Sequence, residues 1–438
     1  MKNKDINKPE RSEGDINLSP LRKKWLTDSI DHKTQKILDE DAKYFLHQSL
    51  STPCLDVLKS CQGSSITDMQ DRQFLDFHGN SVHQVGYGNE YVLKAVKDQL
   101  DILPFCPRRY TNRTAVELAK KLAEITPGKL NKVLLAPGGT TVVGMALKLA
   151  RVVTGRFKTI SWWDSFHGAS LDAISIGGEA LFRSGMGPLL PGAIHVPPPS
   201  SFGGVSEMES ADYVEYVMDH EGYIGAFIAE PVRCTNVIIP SPEYWKRIRE
   251  ICDKHGALLI FDEIPICLGR TGRMFACEYF GITPDILCIG KGLGGGVFPM
   301  AAMITGEELD AAHDKALGHY THEKSPVGCA AALATIEYIE KHDLVEKSRC
   351  MGEETVERLW KMAKNYEFIK DIRGLGLLIG VELDNDGKAE KILYSALEKG
   401  LSFKVSMGNV LTLTPSLTIS QDEMEKALEI LRECFDSF

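Results

Sequence analysis

Ala257-Leu-Leu-Ile-Phe-Asp262-Glu263 and Asp285-Ile-Leu-Cys-Ile-Gly-Lys291-Gly292 decide how this chain is read. Each is a short aliphatic run bounded by breakers, the pattern of a strand buried on both faces. Each leads to a residue that is costly to bury unpaired, Asp262 in one and Lys291 in the other. In open α/β sheets, ligands sit at the carboxyl ends of the strands. Alone, a strand-end aspartate is often just a helix cap, and a lysine in a glycine-rich loop is often a solvated charge. Together, on strands that could share a sheet, they point to chemistry.

An amine and a carboxylate presented there suit pyridoxal phosphate. Lys291 would form a Schiff base with the aldehyde, and Asp262 would hold the ring nitrogen in its protonated form. At about 4 Å and an effective dielectric near 20, that attraction is roughly 4 kcal/mol. This is about three pK units in favour of the protonated ring, the electron sink that stabilises a neighbouring carbanion.

The sequence outward from these stretches alternates strands and helices. Lys132 to Ala136 reads as a strand, and Pro137-Gly-Gly-Thr-Thr141 opens a helix running to about Val153. Thr159 to Trp163 and Ile224 to Ala229 are further strands, and a capped helix starts at Ser241-Pro242 and stops at Gly256. Helices are also expected at Tyr91 to Leu100 and Arg113 to Ile125. The fold class is therefore α/β, a mostly parallel central sheet with helices on both faces. After about Pro326, long helices precede short strands near Arg373 to Gly380 and Val410 to Leu413, and Ser420-Gln-Asp-Glu423 is a capping box. The expected organisation is a tail and N-terminal arm over 1–75, a large domain over 76–325 and a small α+β domain over 326–438. The tail is expected to be mobile as far as about Pro20, and the arm to be helical from about Leu21 to His47. Asn80 to Gly88 is expected to be a loop at the domain junction.

Composition sets bounds on function. The 438 residues carry a formal net charge of −10, which argues against a general nucleic-acid surface. No apolar run reaches membrane-spanning length, and the N-terminus lacks a signal-peptide core. The 11 cysteines are scattered, with no Cys-x-x-Cys pair, so a reduced cytoplasmic protein is expected. His78, His83, His167, His319 and His322 match no usual zinc spacing, so no metal is expected.

Further motifs line up with the cofactor reading. Gly138-Gly139-Thr140-Thr141, between strand and helix, offers backbone N–H groups, hydroxyls and the helix dipole to a phosphate. Phe166-His167-Gly168 follows another strand, where Phe166 could stack on the ring.

The ordered set Gly139-Thr140, Phe166-His167-Gly168, Glu230-Pro231, Asp262-Glu263, Gly269-Arg-Thr-Gly272, Lys291-Gly292 and Thr321 ahead of Ser325-Pro326 resembles the class III (ornithine/GABA-type) aminotransferases. The resemblance runs from about Leu75 to the C-terminus. It implies the fold type I architecture of pyridoxal-phosphate transferases and a homodimer with active sites shared between subunits. It implies that Gly139, Thr140, Phe166, His167, Glu230, Asp262 and Lys291 surround the cofactor, with Glu230 beside the substrate. Thr321 is expected at the cofactor phosphate of the second subunit.

Three departures bear on the reaction. Asp262-Glu263-Ile264-Pro265 has proline where the family usually has the glutamine that contacts the ring oxygen. Thr141 and Gly144 replace a glutamate and a polar residue in the phosphate segment. In Leu411-Thr412-Leu413-Thr414-Pro415, Thr412 stands where many members carry the arginine that clamps an α-carboxylate. The expected substrate is thus a small amine without an α-carboxylate bound in the usual way.

Arg108, Arg109 and Tyr110 could instead meet a phosphonate, with Arg233 a further candidate. The text around Asp76 to Gln84, Pro107 to Asn112 and Asp164 to Gly168 resembles a subgroup of ammonia-lyases acting on a hydroxylated aminoethylphosphonate. An ω-aminotransferase passing such an amine to a keto acid is the alternative. A cofactor-binding scaffold without turnover is disfavoured by the presence of both Lys291 and Asp262.

Overall fold

The structure is a computed structural model that describes residues 19–48, 54–200 and 205–438. Most of the tail expected up to Pro20 lies outside the described residues. By its internal contacts the chain forms two compact units. The larger comprises Asn80–Cys234 and Ile238–Cys350. The smaller gathers the described residues before Asn80, Thr235–Val237 and Met351–Phe438. The helix Pro326–Lys341, assigned to the small domain from sequence, counts with the larger unit, where it packs against the helices Glu90–Ile102 and Arg113–Ile125.

The larger unit is built on a seven-stranded sheet. Its strands are β1 (Leu130–Ala136), β2 (Lys158–Trp162), β3 (Ala193–Val196), β4 (Ile224–Ala229), β5 (Leu258–Asp262), β6 (Ile286–Ile289) and β7 (Ala301–Gly306). They lie side by side in the order β1-β7-β6-β5-β4-β2-β3. From β3 through β6 the pairings are parallel. Only β7 runs against its neighbours, wedged between β1 and β6.

Strand alternation explains why both faces are covered. Ala226, Ile228 and Ile260 join the core beneath α1 (Gly139–Thr154). Their sequence neighbours Phe227 and Phe261, with Trp162, form an aromatic cluster around Trp245 of α2 (Pro242–His255). Successive residues of a strand point to opposite faces, so one apolar run serves two cores.

The helices end where the sequence says they should. Ser241 caps α2 through a bond from Tyr244 N, Pro242 occupies its first turn, and Gly256 stops it at φ 60°. The arm is two helices, Pro20–Asp28 and His32–Tyr44, rather than one stretch. Asp31 caps the second, its side chain accepting from Thr34 N.

In the smaller unit, Leu401–Ser402 pairs in parallel with Leu75–Asp76, completing a four-stranded sheet of mostly N-terminal strands. A second sheet holds the hairpin Ile369–Leu375 and Leu378–Leu383, with Val410–Leu413 and Lys404–Ser406 beyond it. The short strands expected around Arg373 to Gly380 are the facing ends of this hairpin, joined by a turn at Gly376 and Leu377. Asn80 to Gly88 is largely loop, opening on a short turn in which Asn80 and Ser81 hold left-handed backbone.

Candidate active site

Glu230, Asp262 and Lys291 lie at or just beyond the carboxyl ends of β4, β5 and β6, three adjacent parallel strands. Asp262 ends β5 and is 2 % exposed. Its Oδ1 accepts from Ile264 N at 3.1 Å, and its Oδ2 lies 2.8 Å from His167 Nδ1. An ionised carboxylate can only accept, so Nδ1 carries the proton of that bond. His167 Nε2 is buried and makes no hydrogen bond among the described residues. His167 thus holds Asp262 rather than facing outward as an independent group.

Lys291 follows Gly290 after β6 and opens a turn of 3-10 helix, Lys291–Gly294. It has left-handed backbone, φ 44°, uncommon for a residue with a side chain. Its side chain is exposed, and no hydrogen bond or ion pair engages its amine among the described residues. Behind it, the fully buried Gln84 lies so close to Gly292 that an added Cβ there would collide with its side-chain amide. Gln84 is a neighbour of the lysine turn that sequence reasoning passed over. The glycine after the lysine was its only trace.

The segments Gly138–Thr141 and Phe166–Gly168, expected from sequence to meet the phosphate and the ring, converge from two other loops. α1 begins at Gly139, and its cap residue Gly138 has open space where a Cβ would point. Gly139 presses on Ile264, whose Cδ1 would be 2.8 Å from an added Cβ, and Ile264 also contacts Gly290. Ile264 therefore packs between the phosphate segment and the lysine turn. Gly168, at φ +122°, fits against Thr140, whose Oγ1 would be 2.2 Å from an added Cβ. Phe166 is half-buried and packs on Phe182 with centroids 4.6 Å apart. Thr141, in place of the family's glutamate, turns its hydroxyl back to Gly138 O at 2.5 Å. Gly144 leaves room for Asp172, whose Oδ2 would be 2.6 Å from a Cβ there.

Glu230 lies immediately after β4. Its Oε1 accepts from Phe166 N and its Oε2 from Cys234 N, both at 3.3 Å. Burial raises its carboxyl above the usual range, against the pull of Arg233 and His167 and with the push of Asp262. Arg233 is buried beside it. Glu263 faces elsewhere: its oxygens accept from Ala276 N at 2.6 Å and Cys277 N at 2.8 Å.

Gly139, Thr140, Phe166, His167, Glu230 and Asp262 are thus linked by direct contacts. Arg108, Arg109, Tyr110 and Thr321 form a separate exposed group. Arg108 donates through Nη2 to His319 Nε2 at 2.7 Å, two residues from Thr321. Phe105 packs edge-on to His322, and Asn112 donates to Lys324 O at 3.0 Å. In the smaller unit, the Thr412 hydroxyl is spent on Thr235 O at 2.5 Å and Ser406 Oγ at 3.0 Å.

These residues fit pyridoxal phosphate. The open cradle at Gly138 suits the phosphate, the His167-held Asp262 suits a protonated ring nitrogen, and the unengaged Lys291 amine suits an aldehyde. No group of three or more His, Cys, Asp or Glu suited to a metal occurs among the described residues. Nor is any helix among them long and apolar enough to cross a membrane.

Comparison with known proteins points to the same cofactor chemistry. Residues 47–435 match the family described as Aminotransferase class-III. The (R)-1-hydroxy-2-aminoethylphosphonate ammonia-lyase of Vibrio splendidus is 53% identical over 452 residues, covering 97% of this chain and 94% of that protein. The leucine/methionine racemase of Thermococcus litoralis is 34% identical, covering 91% and 95%. An amine transaminase from an uncultivated Pseudomonas species, solved in its PLP-bound internal aldimine form, superposes with a TM-score of 0.84 at 28% identity, covering 90% and 98%. The chain belongs to the class III aminotransferase family, within the fold type I architecture.

Proposed function

We propose that this protein is a pyridoxal-phosphate-dependent ammonia-lyase that converts 1-hydroxy-2-aminoethylphosphonate to phosphonoacetaldehyde and ammonia. The observation that carries this reading is the 53% identity, over nearly the whole chain, to an enzyme named for that substrate. Thr412 supports it: a hydroxyl committed within its own unit offers no clamp for an α-carboxylate, and this substrate has none.

When bound, pyridoxal phosphate supplies an aldehyde that takes up the substrate amine and a protonated ring that withdraws the electron pair left at the neighbouring carbon. The protein does the rest. Asp262, fixed by His167, keeps the ring nitrogen protonated. The amine of Lys291 removes a proton from the aminomethyl carbon. Phe166 would stack on the ring, Gly139 and Thr140 would hold the phosphate, and Glu230 would line the substrate side. Arg108 and Arg109, with Tyr110, bind the phosphonate, Arg108 being steadied by His319. The protein works as a cytoplasmic homodimer, and Thr321 serves the phosphate of the cofactor held by the second copy.

The test is to incubate cofactor-loaded protein with the substrate and no keto acid, and to assay ammonia and aldehyde. Many turnovers of both per site are expected, and Lys291→Ala should abolish them. At most one equivalent of product, with the cofactor left in its amine form, would instead identify an ω-aminotransferase.

A further inference from the structure

Loss of a hydroxyl from carbon needs a proton, since hydroxide is a poor leaving group. Asp262 is committed to His167, and Glu263 is tied to two backbone N–H groups of the helix Ala276–Phe280. Cys267 and Cys288 are fully buried in the sheet region and kept as thiols by burial. Glu230 remains. Ala229 pairs with Phe261, so Glu230 and Asp262 leave neighbouring strands at the same level, and such strands are about 4.8 Å apart. The bond from Phe166 N places Glu230 beside the residue that stacks on the ring. Its 3 % exposure matches the 2 % of Asp262, so it is no more sealed than the residue that meets the ring nitrogen.

We propose that Glu230 is the acid that delivers the proton to the departing hydroxyl. This rests on the lyase reading above. Lys291 takes the proton from the aminomethyl carbon, and the electron pair of that C–H bond becomes the new carbon–carbon double bond. The C–O bond breaks with its electron pair moving to oxygen, and the Glu230 proton completes a water molecule. The resulting enamine takes a proton at the carbon bearing phosphorus and becomes an imine. Water converts the imine to the aldehyde and ammonia, replacing the water lost. The proton gained by Lys291 and that lost by Glu230 cancel over the cycle.

The environment favours a proton on Glu230. Its two bonds, at 3.3 Å, are long for bonds to a full carboxylate charge, which are usually short. The charged and titratable groups around it are Arg233, His167 and Asp262, and burial outweighs the pull of Arg233 and His167.

The test compares the hydroxy substrate with 1-fluoro-2-aminoethylphosphonate, whose fluoride leaves without a proton. Glu230→Gln should slow elimination of hydroxyl by roughly 100- to 10,000-fold, the usual range for a general acid. It should slow fluoride loss only a few-fold. Equal losses for both, or near wild-type elimination of hydroxyl, would overturn the assignment. Infrared difference spectra of the cofactor-free protein should show a carboxylic-acid carbonyl band near neutral pH that Glu230→Gln removes, and its absence would count against the proposal as well. Should the variant not fold, the wild-type enzyme decides. Its hydroxyl elimination should fall as pH rises through the titration of this carboxyl while fluoride elimination does not, and parallel profiles would overturn the role. Wild-type protein that releases no ammonia from the hydroxy substrate overturns the function itself, which is a distinguishable failure.

Discussion

Gly168 shows how single atoms hold the site together. Its φ of +122° is backbone that a side chain rarely adopts, and an added methyl would meet Thr140 Oγ1 at 2.2 Å. That contact joins the loop of Phe166 and His167 to the first turn of α1. Gly168→Ala should therefore separate the Phe166–Gly168 segment from the first turn of α1. The expected cost is about 1–3 kcal/mol of strain, read as at least a ten-fold weaker retention of pyridoxal phosphate on dialysis. Retention equal to wild type would show that the two loops are placed independently. The residues that these contacts join, from Gly139 and Thr140 to Phe166, His167 and Asp262, were legible as motifs in the sequence. What it did not carry were the pairings, such as the bond of His167 to Asp262, because a contact between residues 95 positions apart leaves no local pattern. It also gave no sign that Gln84 backs the lysine turn, since a glutamine in a loop is ordinarily a solvated group.

Among elements, the short helix Ala276–Phe280 depends on Glu263 for its first N–H groups. Burial pushes the Glu263 carboxyl up to about 7, with the bonds from Ala276 and Cys277 pulling the other way. Its value in the unfolded chain is near 4.5. A carboxyl raised by folding stabilises the fold when protonated. The contribution is full below about 4.5 and is lost as pH rises through about 7, on the order of 3 kcal/mol in all. Glu263→Gln should flatten the fall in melting temperature between pH 5 and pH 8 relative to wild type. Parallel slopes would mean that Glu263 stays ionised throughout. Elements with strong local signals were legible. The helix Arg113–Ile125 and the strands Ile224–Ala229 and Val410–Leu413 have the bounds read from sequence. The strand β7 was not read. Ala-Ala-Met-Ile-Thr-Gly is short and only weakly β-forming, and its place comes from the two strands that flank it. The helix Glu207–His220 was also passed over, although its capping box of Ser206 and Glu209 was there to find.

At the scale of the whole molecule, the smaller unit is discontinuous. Trp25, near the start of the described chain, is buried against Tyr394, and the strand Gln73–Asp76, paired on one side with Ser65–Asp68, gains its second neighbour only in Leu401–Ser402. A fragment spanning Met351–Phe438 should therefore not fold by itself. Mixed with a fragment ending at Gly79, it should fold cooperatively, and Trp25 emission should shift to the blue. Unchanged emission on mixing would show that each part can complete itself. The same pairing puts the unit at a disadvantage during synthesis. About 325 residues separate Asp76 from Leu401, and at roughly 5–20 residues per second the ribosome needs about 16–65 seconds to make them. Throughout that interval the first strands present an open edge, a template for pairing with the wrong chain. The larger unit must form while its companion waits half-made, so the yield of native protein should respond more to chaperone supply and elongation rate than to the final stability of either unit.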